Sequence, residues 1–252
     1  MIADFDAGML RAAAHRPWPM PAGPWLVSQT WHDLLFAHWA IEPELVARQV
    51  PATLPLDVFE GRAWIGIVPF RMTNVSLRGM PPLPGLSAFP EINVRTYVTL
   101  DGKPGVYFFS LDAASRPAVY AARLLFRLPY FAADISVSAA AGSIEYRSVR
   151  RDRRGRPAQF LGRYRPLGEA FSPARGSLEW FLTERYCLYT TDGRGRPLRA
   201  DIHHREWRLQ AADAEIDIDT MAEAAAVPLP AERPLLHFAR RQDAVAWPVR
   251  RA

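Results

Sequence analysis

Few residues in this 252-residue chain have the types and spacings that catalysis or metal binding requires. His32 and His38 fall on one face of an extended segment, but about 20 Å apart by strand rise, too far to ligate one ion. His203 and His204 are adjacent in extended text and point to opposite faces. With six histidines and no chelating spacing, no metal site is expected. The single cysteine, Cys187, has no base beside it in sequence and reads as a buried structural thiol. Gly85-Leu86-Ser87-Ala88 is followed by Phe89, so it is not a Gly-x-Ser-x-Gly elbow. Gly193-Arg194-Gly195 lies in a turn between strands, where a phosphate loop would need a strand followed by a helix. No cofactor is implied by any motif.

The polar residues that do share a place lie between Glu91 and Leu100. Alternation puts Glu91, Asn93, Arg95, Tyr97 and Thr99 on one face and Ile92, Val94, Thr96, Val98 and Leu100 on the other. A face that polar either meets bulk water or, in a closed barrel, lines a wet cavity. Arg71, which ends the VPFRM run, is placed to pair with Glu91 or to hold a ligand carboxylate bidentately.

These residues need strands to position them, and the chain supplies strand text. TWHDLLFAHW (30–39) reads as a strand of a buried sheet, and 56–73 as two strands joined at Glu60-Gly61. Glu91 to Leu100, the turn Asp101-Gly102-Lys103-Pro104-Gly105 and Val106 to Asp112 form the clearest hairpin. Further strands are expected at 134–141, 143–150, 157–165 and Cys187 to Thr191, with a hairpin turning at 193–197 and returning over 199–209. Helices are expected over Glu42 to Val50, over 115–127, where Ser115 can cap and Pro117 sits in the first turn, and over 177–185, capped by Ser177. Pro81 to Pro90, with four prolines and a glycine, must be an extended loop.

Composition bounds the rest. Apolar residues make up 49% of the chain and charged residues 23%, so global disorder is excluded. Proline, at 23 residues, punctuates the chain too often for a long helical bundle. The net charge of +5 is located in one stretch: Arg147 to Arg156 holds six arginines and one acid, so the remainder sums to zero. A knot of that kind reads as a solvated hairpin tip, its arginines replaceable without thermal consequence, and no specific nucleic-acid partner is expected. No run approaches a membrane span, and Asp4 and Asp6 precede any apolar run, so the expectation is a cytoplasmic protein with no membrane partner. The expected organisation is an N-terminal arm over 1–24 and a single domain over 25–252, α+β and mainly β.

Several stretches together are more specific: WHDLLFAHW (31–39), GRAWIGIVPFRM (61–72), LPGLSAFPEINVRTYV (83–98), GKPGVYFFSLDA (102–113), RLPYF (127–131), TERYCLYT (183–190) and HFARRQDAVAWP (237–248). In this order and spacing the chain resembles the YqjF-like family of uncharacterised bacterial proteins, and through it the acetoacetate decarboxylase superfamily. The resemblance implies a cone-shaped β-barrel with a few flanking helices around an apolar pocket. It implies a pocket position for Glu91, with Asn93 and Arg95 on the same face. It also puts Tyr130 and Phe131 where the decarboxylase carries two adjacent lysines, the first of which forms a Schiff base. A phenol cannot form an imine. Lys103, the chain's only lysine, falls in a hairpin turn, where it is solvated and protonated. The expected function is therefore the binding of a small organic molecule in the barrel. The alternative is a non-imine lyase or hydrolase acting on a carbonyl or carboxylate substrate with Glu91 and Tyr130. Substrate-binding residues are expected to be Glu91, Tyr130, Arg71, Asn93 and Arg95. Glu184-Arg185-Tyr186 reads as a local ion pair at a helix end, and homo-oligomerisation is left open.

Overall fold

Long runs of β-branched and aromatic residues become long strands. The computed structural model describes residues 5–83 and 85–252; residues 1–4 of the expected arm and Pro84 of the proline loop lie outside the described residues. In chain order the elements are β1 (Val27–Ile41), α1 (Pro43–Ala47), β2 (Ala63–Leu77), β3 (Phe89–Leu100), β4 (Lys103–Ala113), α2 (Arg116–Phe126), β5 (Tyr130–Ala140) and β6 (Ser143–Arg150). They continue with β7 (Gln159–Phe171), α3 (Leu178–Thr183), β8 (Cys187–Thr191), β9 (Pro197–His204), β10 (Leu209–Asp219), α4 (Met221–Ala224), β11 (Leu235–Ala246) and β12 (Arg250–Arg251).

Local signals account for several boundaries. The Ser115 hydroxyl accepts from the Ala118 N–H, and α2 ends at Arg127 in the left-handed conformation, φ 53°, before Leu128-Pro129. Ser177 caps α3 in the same way, accepting from the Trp180 N–H. Two expectations change. Residues 56–62 form only isolated bridges, Leu56 to Val98 and Phe59 to Arg62, so one strand, β2, replaces the expected pair. The return strand stops at His204, where the chain turns through 205–208 into β10.

The sheet closes on itself twice. One ring of nine strands runs β4-β3-β2-β1-β11-β10-β7-β6-β5 and returns to β4 through the parallel pairing of Leu111 to Ala113 with Tyr130 to Ala132. A second path leaves the shared strands through β8 and β9. β4 pairs β8 in parallel at Val106–Leu188 and Tyr107–Tyr189, and β9 pairs β11 at 202–204, which closes a ring of seven.

The shared strands serve both rings because their faces alternate. Ile92, Val94 and Val98 of β3 join Ile65, Ile67, Tyr146, Phe160 and Phe238 in the filled core of the larger ring. The opposite face of β3 turns Glu91, Asn93 and Arg95 toward the smaller ring. At the β4–β8 seam, a Cβ added to Gly105 would stand 2.7 Å from Cys187 Sγ and 2.8 Å from the Cys187 carbonyl oxygen. Burial there pushes the Cys187 thiol up to about 12, so it is an inert apolar filler. Gly105→Ala should therefore cost about 1–3 kcal/mol in urea unfolding, whereas Gly193→Ala, with open space around it, should be close to neutral.

The arginine-rich stretch does turn between β6 and β7, as its hairpin-like text suggests, but it is not uniformly solvated. Arg150 is buried with Asp112, and Arg123 of α2 pairs with Asp152. The six arginines are therefore not interchangeable, and the expectation that all can be replaced without thermal consequence fails at Arg150. Desolvation makes the difference: a buried guanidinium is stable only with its carboxylate.

Candidate functional site

All seven strands of the smaller ring contribute side chains to one cavity of about 450 Å³. Its walls are chiefly apolar, including Leu34, Val68, Phe70, Phe108 and Leu188. The inner face of α2 covers one side with the small residues Pro117, Ala118, Ala121 and Ala122, and the 75–87 segment covers another. That segment is held by the Ser87 hydroxyl, which accepts from the Leu83 N–H at 2.6 Å, and by the Val75 N–H donating to the Ser87 carbonyl at 3.2 Å. Leu77, Met80, Leu83, Leu86 and Leu125 line the cavity and are also exposed, which makes an apolar rim.

One pole of the cavity is polar. Glu91 is 2% exposed, and burial pushes its carboxyl up to about 8; Tyr130 and Asn93 oppose the shift and Asp112 adds to it. Burial, and then the neighbouring Glu91, push the Tyr130 phenol well above its ordinary value. At neutral pH both groups keep their protons; they hydrogen-bond to each other, which leaves the pair one O–H to offer to the cavity. Four buried polar atoms of cavity-lining residues have no hydrogen-bond partner among the described residues: Glu91 Oε2, Asn93 Oδ1, Arg95 Nε and Trp207 Nε1. Unpartnered buried groups of this kind are costly, and four around one space are most simply satisfied by what occupies it.

The structure thus brings together Glu91, Asn93, Arg95 and Tyr130, and leaves Arg71 out. Phe70 pairs across from Glu91 and lines the cavity, so by strand parity its neighbour Arg71 points outward. There it is half-exposed and bound to Asp33. Tyr97, on the same expected face as Glu91, packs on Phe181 at 5.4 Å and bonds His38 Nε2 through its hydroxyl at 2.7 Å instead of lining the cavity. Phe131 faces away from Tyr130 and carries the Arg150 guanidinium on its ring at 4.2 Å.

Sequence reasoning missed Arg185, His204, Trp31 and Trp207, all of which line the cavity. Arg185 does not form the expected local pair: its Nη1 donates to Asp57 and its Nε to the Phe181 carbonyl, each at 2.6 Å. Glu184 instead accepts from the Tyr186 hydroxyl and, at 2.8 Å, from the Trp207 N–H. His204 is held neutral, burial lowering its pKa to about 4. Long-range partners position all four, and short-range spacing carries no trace of them. Among the described residues no group of three His, Cys, Asp or Glu side chains is arranged to hold a metal ion.

A β-rich fold of this kind is found in solved proteins of the acetoacetate decarboxylase-like class. An acetoacetate decarboxylase superposes with a TM-score of 0.61 at 12% identity, covering 98% of this chain and 97% of that one. The enduracididine biosynthesis enzyme MppR, solved with pyruvate, superposes with a TM-score of 0.60 at 10% identity, covering 93% of each chain. At such identities the likeness establishes the fold. The chain itself belongs to the DUF2071 family of uncharacterized conserved proteins, whose pattern matches residues 28–243. It is 47% identical over 232 residues to the uncharacterized protein YqjF of Bacillus subtilis (strain 168), covering 92% of this chain and 95% of that protein. No helix among the described residues is long and apolar enough to cross a membrane.

Proposed function

We propose that the cavity binds a small organic molecule with an apolar body and a carbonyl or carboxylate end, and that it does so without a covalent imine. The observation that carries this reading is the set of four unpartnered polar atoms on residues lining an otherwise apolar space. The hydrogen-bonded pair of protonated Glu91 and Tyr130 donates its remaining O–H to the ligand oxygen, Arg95 supplies a positive charge, and the Asn93 carbonyl accepts. The apolar wall contributes affinity by burying the ligand body. MppR was solved with pyruvate and with a condensation product of pyruvate and imidazole 4-carboxaldehyde, ligands whose carbonyl chemistry suits this pole.

Among the described residues that line the cavity, none carries an amine from which imine chemistry could begin. Lys103, the chain's only lysine, starts β4 beyond the lining residues, and Tyr130 is the side chain that reaches Glu91. A Glu91 carboxyl that stays protonated is a donor, which favours binding over general-base catalysis at neutral pH. Native mass spectrometry with a panel of keto and aryl carboxylic acids tests both halves. We expect a one-to-one adduct that disappears on denaturation and that borohydride does not fix. Stoichiometric borohydride labelling of Lys103 would refute the imine claim; absence of any adduct across the panel would refute the ligand class.

A further inference from the structure

A second concavity lies on the outer side of α2, the helix whose inner face walls the cavity. Arg116, Val119 and Tyr120 of α2, Ala132 of β5 and the loop residues Arg151, Asp152, Arg153 and Arg154 enclose about 290 Å³. This is the arginine-rich stretch that holds the whole net charge of the sequence.

The loop that presents these arginines is firmly built. The Arg151 and Asp152 N–H groups both donate to the Ala132 carbonyl, at 2.9 and 3.0 Å, and Arg150 Nη1 donates to the Arg156 carbonyl at 3.0 Å. Asp152, with its side chain 9% exposed, is the hub: it accepts from Arg123 at 2.6 Å and from Arg154 Nε and Nη2 at 3.0 Å each. Gly155 packs so closely that an added Cβ would stand 2.7 Å from the Phe131 ring.

The electrostatics of the pocket are unbalanced. Arg116, Arg123, Arg151, Arg153 and Arg154 meet only two carboxylates, Asp152 and Asp134, and both are already engaged. Among the described residues, the Arg116 and Arg153 guanidiniums have no hydrogen bond, ion pair or ring contact. The exposed like charges of the loop and of α2 repel weakly through water, and an anion that joins them relieves that repulsion. The concavity is half open to solvent, with Tyr120 as its one aromatic face, 64% exposed, and Arg154 over the ring at 6.0 Å. A duplex would need an extended basic track instead. A carboxylate engages one guanidinium fork, whereas a phosphate monoester brings about two charges and three acceptor oxygens, enough for several.

We propose that this pocket binds the phosphoryl group of a small soluble phosphate monoester, with Arg116 and Arg153 as its principal donors and Arg151 and Arg154 flanking. The room beyond the phosphoryl group, beside Tyr120, takes the organic part of the molecule.

Calorimetric titration of the full chain with glycerol phosphate, and separately with inorganic phosphate, tests the site at constant chloride ionic strength. We expect saturable one-to-one binding of the ester and weaker binding of inorganic phosphate. Arg116→Ala and Arg153→Ala should each weaken the ester about tenfold, the loss of one charge-assisted hydrogen bond. Arg156→Ala, on the same loop outside the pocket, should leave binding unchanged. Unaltered melting temperatures in all three variants would show that the losses are local. Binding that fails to saturate, that chloride reproduces, or that falls equally in Arg156→Ala would overturn the proposal. So would tighter binding of duplex DNA than of the ester, lost uniformly as arginines are removed.

Discussion

Arg150→Ala should destabilise the protein by about 3–5 kcal/mol, the usual cost of leaving one member of a buried ion pair without its partner. Arg150 Nε and Nη2 donate to Asp112 Oδ2 and Oδ1 at 2.7 Å each, a bidentate contact in which the two side chains are 3% and 0% exposed. Burial pushes the Asp112 carboxyl up, and only the facing guanidinium opposes it. The pair also pins β4 to the β6–β7 loop, because Arg150 Nη1 holds the Arg156 carbonyl. Arg151→Ala removes an ion pair that is more than half exposed and should change stability by less than about 0.5 kcal/mol. The double variant Arg150→Met with Asp112→Leu separates charge from packing. Replacing both charges with apolar groups should restore most of the loss. Urea unfolding of the four proteins decides it: a single-variant loss near that of Arg151→Ala would show that Asp112 is solvated after all.

Glu91→Gln should stabilise the unliganded protein at alkaline pH. The folded-state pKa of Glu91, about 8, lies above its ordinary value of 4.5, so between these limits the folded state holds a proton that the unfolded state has released. Stability contributed by this group is therefore present below pH 4.5, falls as pH rises, and is fully lost by about pH 8. At about 1.4 kcal/mol per unit the loss is on the order of 2–5 kcal/mol, less what water in the cavity screens. Gln cannot ionise, so the difference between the two proteins should grow across this window and level off above it. His203 and His204, lowered by burial to about 4, act in the opposite sense: their contribution is lost as pH falls below their ordinary 6.5. They are common to both proteins and cancel in the comparison. A constant difference between pH 5 and 9 would mean that Glu91 ionises freely and that the pole of the cavity is not built as described. In the wild type, affinity for a carboxylate ligand should also fall above about pH 8, because the donor becomes a second negative charge.

Much of the fold is written locally. The Asp101-Gly102 turn sets the Leu100–Lys103 register, and capping serines start α2 and α3 where expected. Alternation in 91–95 puts three polar residues on one face, and the structure turns that face inward. Not legible were the closures. β4 meets β8 through two residue pairs and β9 meets β11 through three, contacts too short to leave a pattern in either strand. β10, with Asp213, Glu215 and Asp217 alternating on its outer face, carries strand periodicity that the reading of the sequence passed over.

The sequence by itself determined most of the elements and the polar face of β3, since each depends on residue type and near neighbours. Which side of each strand meets a cavity, and which charges leave water, was decided only in three dimensions. Arg71 and Arg95 both sit in strands, yet one binds Asp33 at the surface and the other lines the cavity. Arg150 and Arg151 are adjacent, yet one is buried against Asp112 and the other stays in solvent. Desolvation and pairing are set by partners tens of residues away, and a one-residue step along a strand reverses which of them a side chain meets.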